Sequence, residues 1–309
     1  MGDENKGMML ALVTAVVSGI SVFINGIAVK TADPVVYTTL KNVGVVVLLL
    51  AMVIGLAKMS AFRKLKKKQW GTLALIGMIG GSIPFALFFW GLKLGGAEVS
   101  SFLYRSLFIF AGVFGYFILK EKAKTRDVAA AVIILAGNAL LISGSLTFGI
   151  GQILVLAATV MWALEYTISR KMVQEIDASI VMVSRMLFGS MVLIGFTLAN
   201  GSLTAVSVLN TEMLSWLALT SVLLFAFVVS WYSALRYLPV LKATAIFSLG
   251  GIVTALLNFA VLGKLVPSGQ EIGFLLILAG VIAVSKLDRA LELVRAKNIE
   301  KAAEEGLGK

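Results

Sequence analysis

The run Asp33-Pro34-Val35-Val36-Tyr37-Thr38-Thr39-Leu40-Lys41 returns 144 positions later as Asp177-Ala178-Ser179-Ile180-Val181-Met182-Val183-Ser184-Arg185. In each copy an acid opens an apolar run that carries a single cation, eight residues after the acid. A charge in hydrocarbon costs roughly 2.5–3.5 kcal/mol even on a lenient insertion scale. One such cation asks for a reason, and two at the same offset read as an internal duplication.

The duplication extends outward from this run. At offset 144, Gly7, Leu10 and Leu12 meet Gly151, Leu154 and Leu156. At offset 143, Leu135-Ala136-Gly137 meets Leu278-Ala279-Gly280, and Lys93 meets Arg236, so one residue has been gained or lost in the loops between.

Composition says what surrounds the repeat. The chain has 309 residues, of which 59% are hydrophobic and 14% charged. Soluble domains run at about 45–50% apolar and about 25% charged. Cysteine and histidine are both absent, which removes disulfides, thiol nucleophiles, histidine bases and nearly all zinc or haem ligation. No cofactor or metal is expected.

A bilayer core of about 30 Å needs around 20 apolar residues per helix. On that ruler ten spans appear, at 8–29, 35–57, 70–92, 97–119, 128–143, 148–169, 179–199, 213–235, 241–262 and 271–285, the fifth and tenth being short. With a cytoplasmic N-terminus, 21 of the 27 cations fall in inside segments, and only Lys30, Lys93 and Lys264 fall outside. Positive charge collects on the cytoplasmic side, so both termini are expected there. The net charge of +11 is then a matter of topology, and no nucleic-acid partner is expected. The basic run Arg63–Lys68 reads first as a topological anchor, with contact to anionic headgroups as the second reading.

Five spans per copy is an odd number, so the second copy enters the membrane from the opposite side. The expected fold is an all-α membrane protein of ten transmembrane helices, built as two inverted-topology repeats at 7–145 and 146–286. A cytoplasmic tail, 287–309, alternates acids and bases. Inverted repeats are an arrangement that secondary transporters use for alternating access around a site near the midplane.

At this point the chain resembles the ten-helix exporters of the drug/metabolite transporter superfamily, the EamA-like kind. The resemblance is carried by Asp33-Pro34 with Lys41, Asp177 with Arg185, Met161-Trp162-Ala163 and the turn Ala234-Leu235-Arg236-Tyr237-Leu238-Pro239. It covers residues 7–286 in two tandem copies. The family's acid near the end of the fourth helix appears as Glu121, whereas Lys264 holds the matching position in the second copy. The resemblance implies a carrier of amino acids, drugs or other small metabolites in the plasma membrane of a prokaryote, with a cavity between the repeats.

Residues three, four and seven apart share a helix face. Thr14, Ser18, Ser21 and Asn25 form one polar stripe, with Ala158, Trp162, Glu165 and Ser169 as its repeat mate. Ser101, Arg105, Phe108, Gly112 and Gly115 form another, preceded by Glu98, with Thr244, Ser248, Gly251, Ala255 and Asn258 as mate. Small and hydroxyl residues alone mark close helix packing; the charged and amide groups turn these faces toward a cavity.

The candidates for substrate binding or gating are Lys41, Arg105, Arg185, Glu165, Asn25, Ser21, Tyr104, Trp162, Ser248 and Asn258. Counting helical rise, Lys41 and Arg105 lie about 10 Å in from the outer face. Arg185 and Glu165 lie about 10 Å in from the cytoplasmic one. The expected division of labour gives the inner pair the inside gate and the outer cations the outside gate, with one cation also meeting the substrate. Structural ion pairs, Arg185 with Glu165 and Arg105 with Glu98, are the competing account. Pro84, after Gly80-Gly81-Ser82, breaks the third span and serves either as a hinge or as a static kink.

The leading function is a secondary active exporter of small metabolites such as amino acids or related anionic and zwitterionic compounds. An antiporter of phosphorylated sugars or nucleotide-sugars is the alternative, and a channel a distant one. Proton coupling falls most simply to Glu165, and a homodimer is left open. An enzyme is disfavoured by the lack of histidine, cysteine and paired intramembrane acids, and a primary pump by the lack of a phosphate-binding glycine loop.

Overall fold

The computed structural model describes residues 3–31, 33–122, 125–141, 149–199, 201, 210–263 and 271–284, with Thr31, Glu98 and Arg126 described by backbone only. The repeat boundary at 145/146, Lys264 and the tail 287–309 lie outside the described residues. Within them the chain is helical, with no strand.

Helix α1 spans Asp3–Ala28 and α2 spans Pro34–Gly55. The opening motif explains the start of α2. Asp33 is its N-cap, accepting from the Val35 and Val36 amides at 2.9 and 3.1 Å, and Pro34 takes the first helical position. Proline fits there because the amide it lacks has no helical partner anyway. Asp177 opens α9 (Ala178–Ala199) the same way, its Oδ1 accepting from the Ser179 amide and hydroxyl.

The third span is split into α3 (Lys67–Gly81) and α4 (Ile83–Gly95). The fourth is split into α5 (Ala97–Arg105), α6 (Leu107–Phe114) and a π turn at Gly115–Leu119. Then follow α7 (Thr125–Leu140), α8 (Ile150–Glu175), α10 (Thr211–Tyr237), α11 (Val240–Phe247), α12 (Gly250–Leu262) and α13 (Glu271–Val284).

Eight of the ten expected spans are long and apolar enough to cross a bilayer. The other two, at Asp127–Leu140 and Glu271–Val284, are shorter apolar helices of about 21 Å, against a core of about 30 Å. Large apolar side chains such as Val47, Phe117, Val132 and Leu275 are exposed on the perimeter, as a lipid-facing surface requires.

The main packing partners lie far apart in sequence: α1 runs along α10, α4 along α8, and α3 and α2 both lie on α9. Small residues let these backbones meet. A Cβ on Gly189 would run into the Gly81 backbone, and one on Gly19 into Val253 and the Gly250 carbonyl.

Candidate functional site

The break between α3 and α4 builds one wall of the centre. Pro84 has no amide hydrogen, so the Gly80 carbonyl four residues before it loses its helical donor. Two side chains from other helices take that carbonyl: Arg185 Nη2 at 2.7 Å and Trp162 Nε1 at 2.9 Å. The next carbonyl, of Gly81, accepts from Asn42 Nδ2 at 2.9 Å. Three helices are thus fastened to one proline-made gap.

Arg185 also reaches Glu165, with Nε 3.3 Å from Oε2, and both side chains are almost completely buried. The other carboxylate oxygen accepts from Ser169 Oγ at 2.5 Å and from the Tyr232 hydroxyl at 2.6 Å. Of the two structural ion pairs expected as the competing account, the structure forms Arg185–Glu165. The Glu98 side chain, expected opposite Arg105, lies outside the described residues.

Lys41 is built differently. It is 2% exposed and among the described residues has no carboxylate partner. Its ammonium is 3.4 Å from Asn25 Oδ1, and Asn25 in turn donates to the Ser21 hydroxyl. Aromatic faces supply the rest: the ammonium lies 3.7 Å from the centre of the Phe89 ring, 5.5 Å from Phe85 and 5.6 Å from Tyr37. Such contacts recover part of a cation's desolvation cost.

Phe85 also lies 5.3 Å from the Arg185 guanidinium carbon, so both cations lie near one ring. Lys41 and Arg185 therefore line one cavity of about 50 Å³, together with Ser21, Asn25, Tyr104 and Trp162. Charges about 10 Å in from opposite faces of a core about 30 Å thick are close enough for long side chains to meet at the middle. That volume holds a few waters and is far below the roughly 300–1,000 Å³ of ligand pockets. The aromatic side chains fill the remaining space.

Glu165 does not itself line the cavity and meets it through Arg185, and three further expected site residues lie elsewhere. Arg105 is fully buried behind Tyr104, with Nη1 3.2 Å from both Ser18 Oγ and the Phe247 carbonyl, while Nε and Nη2 have no hydrogen-bond partner. Its guanidinium lies 4.3 Å from the Phe247 ring centre. Ser248 stands at the α11/α12 break, its hydroxyl 3.5 Å from the Arg105 carbonyl. Asn258 lines a separate cavity of about 20 Å³ between α5, α7 and α12.

Phe85, Phe88 and Phe89 were not among the expected residues. A phenylalanine in an apolar helix looks like core, and the one available cue was their placement within two turns of Pro84.

One end of the bundle gathers the basic loops. Lys58 pairs with Asp177 Oδ2 at 2.8 Å, Arg170 with Glu121 at 3.5 Å, and Lys242 with Glu4. Arg170 and Gln174 donate to the last carbonyls of α10, while Glu121 accepts the Val240 amide at 3.0 Å. At Asp177, partial burial raises the carboxyl pKa, but the Lys58 and Ser179 hydrogen bonds outweigh this and hold it at about 2.

The model of the EamA-like transporter family matches this chain twice, over residues 5–143 and 149–286. The chain belongs to that family. Its relatives are bacterial and archaeal. An uncharacterized transporter of Archaeoglobus fulgidus is 28% identical over 290 residues, covering 90% of this chain and 96% of its own length. An uncharacterized transporter of Clostridium kluyveri is 24% identical, covering 77% of this chain and 80% of its own. The uncharacterized transporter YyaM of Bacillus subtilis is 26% identical, covering 70% of this chain and 72% of its own length. A crystal structure of a protein 20% identical has a TM-score of 0.69, covering 94% of this chain and 97% of that one, and so shares the fold. As an EamA-like transporter, the chain is a multi-span membrane protein.

Proposed function

We propose that this EamA-like protein is a secondary active transporter. It exports small metabolites carrying an anionic group, amino acids and related zwitterions foremost, by alternating access at the central cavity. The supporting observation is the charge balance there. Lys41 and Arg185 both enter the cavity, and Glu165, held by Ser169 and Tyr232, is the one carboxylate touching either among the described residues. Two cations against one acid leave one positive charge for a substrate carboxylate. Lys41, with aromatic rings in place of an acid, is the group that receives it.

A substrate ammonium and a proton then compete for Glu165, which is the condition for exchanging one against the other. The reading takes the fold as ten helices in two oppositely threaded five-helix repeats, in a prokaryotic plasma membrane with both termini cytoplasmic. Lys66, at the cap of α3, and Glu175, the last residue of α8, line one groove, which supports that threading. The protein is read as a carrier and not an enzyme, in keeping with relatives that are named as transporters.

Purified protein in proteoliposomes, challenged with an amino-acid panel, is expected to show saturable counterflow that Lys41→Ala and Arg185→Ala each abolish. Flux that rises linearly without saturation would indicate a pore. Saturable counterflow that survives both substitutions would remove the cavity from the mechanism.

A further inference from the structure

At the basic end, a groove of about 410 Å³ opens between the start of α3, the π turn and the last turns of α8. Its two walls differ in chemistry. Lys66 and Lys68 come from α3 and its cap, and Lys171 comes from α8, all three exposed and unpaired among the described residues. Ile118, Ile168 and Met172 form an apolar floor running toward the lipid-facing perimeter, where Ile118 is 42% exposed. Glu175 stands at the rim, leaving the groove with net positive charge.

Apolar floor and ammonium rim at the end of a membrane helix match one amphiphile. We propose that this groove is a binding site for an anionic phospholipid, its phosphate held by Lys66, Lys68 and Lys171 and its acyl chain lying against Ile118, Ile168 and Met172. The inference rests on the chain spanning a bilayer and is independent of the transport reading. Juxtamembrane lysines each favour anionic lipid by about a fivefold factor. A soluble anion would use the lysines but leave the apolar floor uncovered. The lipid bridges α3 and α8, which belong to the two separate segments matched by the family model, so it braces one half against the other.

The test uses full-length protein in detergent with phosphatidylglycerol, phosphatidylcholine or inorganic phosphate. Thermal unfolding and native mass spectrometry report stabilisation and retained lipid. Phosphatidylglycerol is expected to raise the melting midpoint, with phosphatidylcholine and phosphate ineffective. Lys68→Gln with Lys171→Gln is expected to weaken lipid retention about thirtyfold. Arg63→Gln with Lys64→Gln, basic neighbours that do not line the groove, is expected to leave retention unchanged. Equal losses in the two double variants would reduce the effect to diffuse charge attraction and overturn the site. Equal shifts from phosphate and phosphatidylglycerol would overturn the lipid as occupant.

Discussion

At the scale of single residues, the pair Arg185–Glu165 sets the energetics of the centre. Both side chains are almost completely out of water and 3.3 Å apart. Removing one partner from a buried pair leaves the other charge uncompensated and costs about 3–5 kcal/mol, whereas replacing both by apolar groups is often neutral. Arg185→Met and Glu165→Leu are therefore each expected to destabilise strongly, and the double variant less than the sum. Unfolding midpoints of the four proteins form the cycle that measures this, and additive losses would show that the pair is not coupled. Glu165→Gln keeps a side-chain oxygen for Ser169 and Tyr232 but cannot bind and release a proton. Transport by that variant is expected to lose its response to a pH gradient, and full pH-driven exchange would exclude Glu165 as the coupling group.

At the scale of elements, the interface of α3 with α9 and the break after Gly81 carry the arrangement. Gly189 meets the Gly81 backbone so closely that any side chain must push the helices apart. Gly189→Ala is expected to cost about 1–3 kcal/mol, the usual penalty of overpacking, read as a lowered unfolding midpoint. Pro84→Ala acts in the opposite sense. It returns an amide donor to the Gly80 carbonyl, in competition with Arg185 and Trp162, and straightens α3 onto α4. Stability is expected to be unchanged or higher while counterflow slows; unchanged counterflow would make the kink a static one. The sequence reading located this break from Pro84 and left its role open. It could not show that the orphaned carbonyl is held by side chains more than 75 residues away in the chain.

At the scale of the whole molecule, the ion pairs at the basic end join segments distant in sequence. Lys58–Asp177 is partly exposed, and such pairs contribute about 0.2–1 kcal/mol. That is little for stability but enough to bias an equilibrium between two conformations. The Asp177 carboxyl is depressed to about 2 in the folded protein, against about 3.9 when unfolded. Its contribution is therefore complete above about pH 4 and is lost as pH falls through about 2. Asp177→Asn is expected to raise the reactivity of a Ser21→Cys thiol toward an impermeant reagent added at the basic end. With Asp177 intact, the pH dependence of Ser21→Cys labelling between pH 5 and 8 is expected to be that of the thiol's own ionisation, matched by a free-thiol reference, because the Lys58–Asp177 contribution does not change over that range. The chain has no natural cysteine, so a single introduced thiol also tests the threading: labels at Lys66 and Gln174 are expected on the same side of the membrane.

Hydropathy was enough, without coordinates, to place the eight long spans, and the resemblance carried by the Asp33 and Asp177 motifs, Met161-Trp162-Ala163 and the Ala234–Pro239 turn pointed to the family. These are local properties, set by the cost of burying charge and by the length of chain needed to cross lipid. The helix caps at Asp33 and Asp177 and the polar stripe around Asn25 also follow from spacing along single helices, whereas the pairing of Arg185 with Glu165, which joins two helices, was one of two accounts left open. Tertiary structure alone decided that Lys41 and Arg185 share one cavity beside the Phe85 ring, and that Arg105, an arginine like Arg185, does not line it. Spacing fixes the face of a helix on which a side chain stands; which neighbour that face meets depends on close approaches between backbones from distant parts of the chain, as at Gly81 and Gly189.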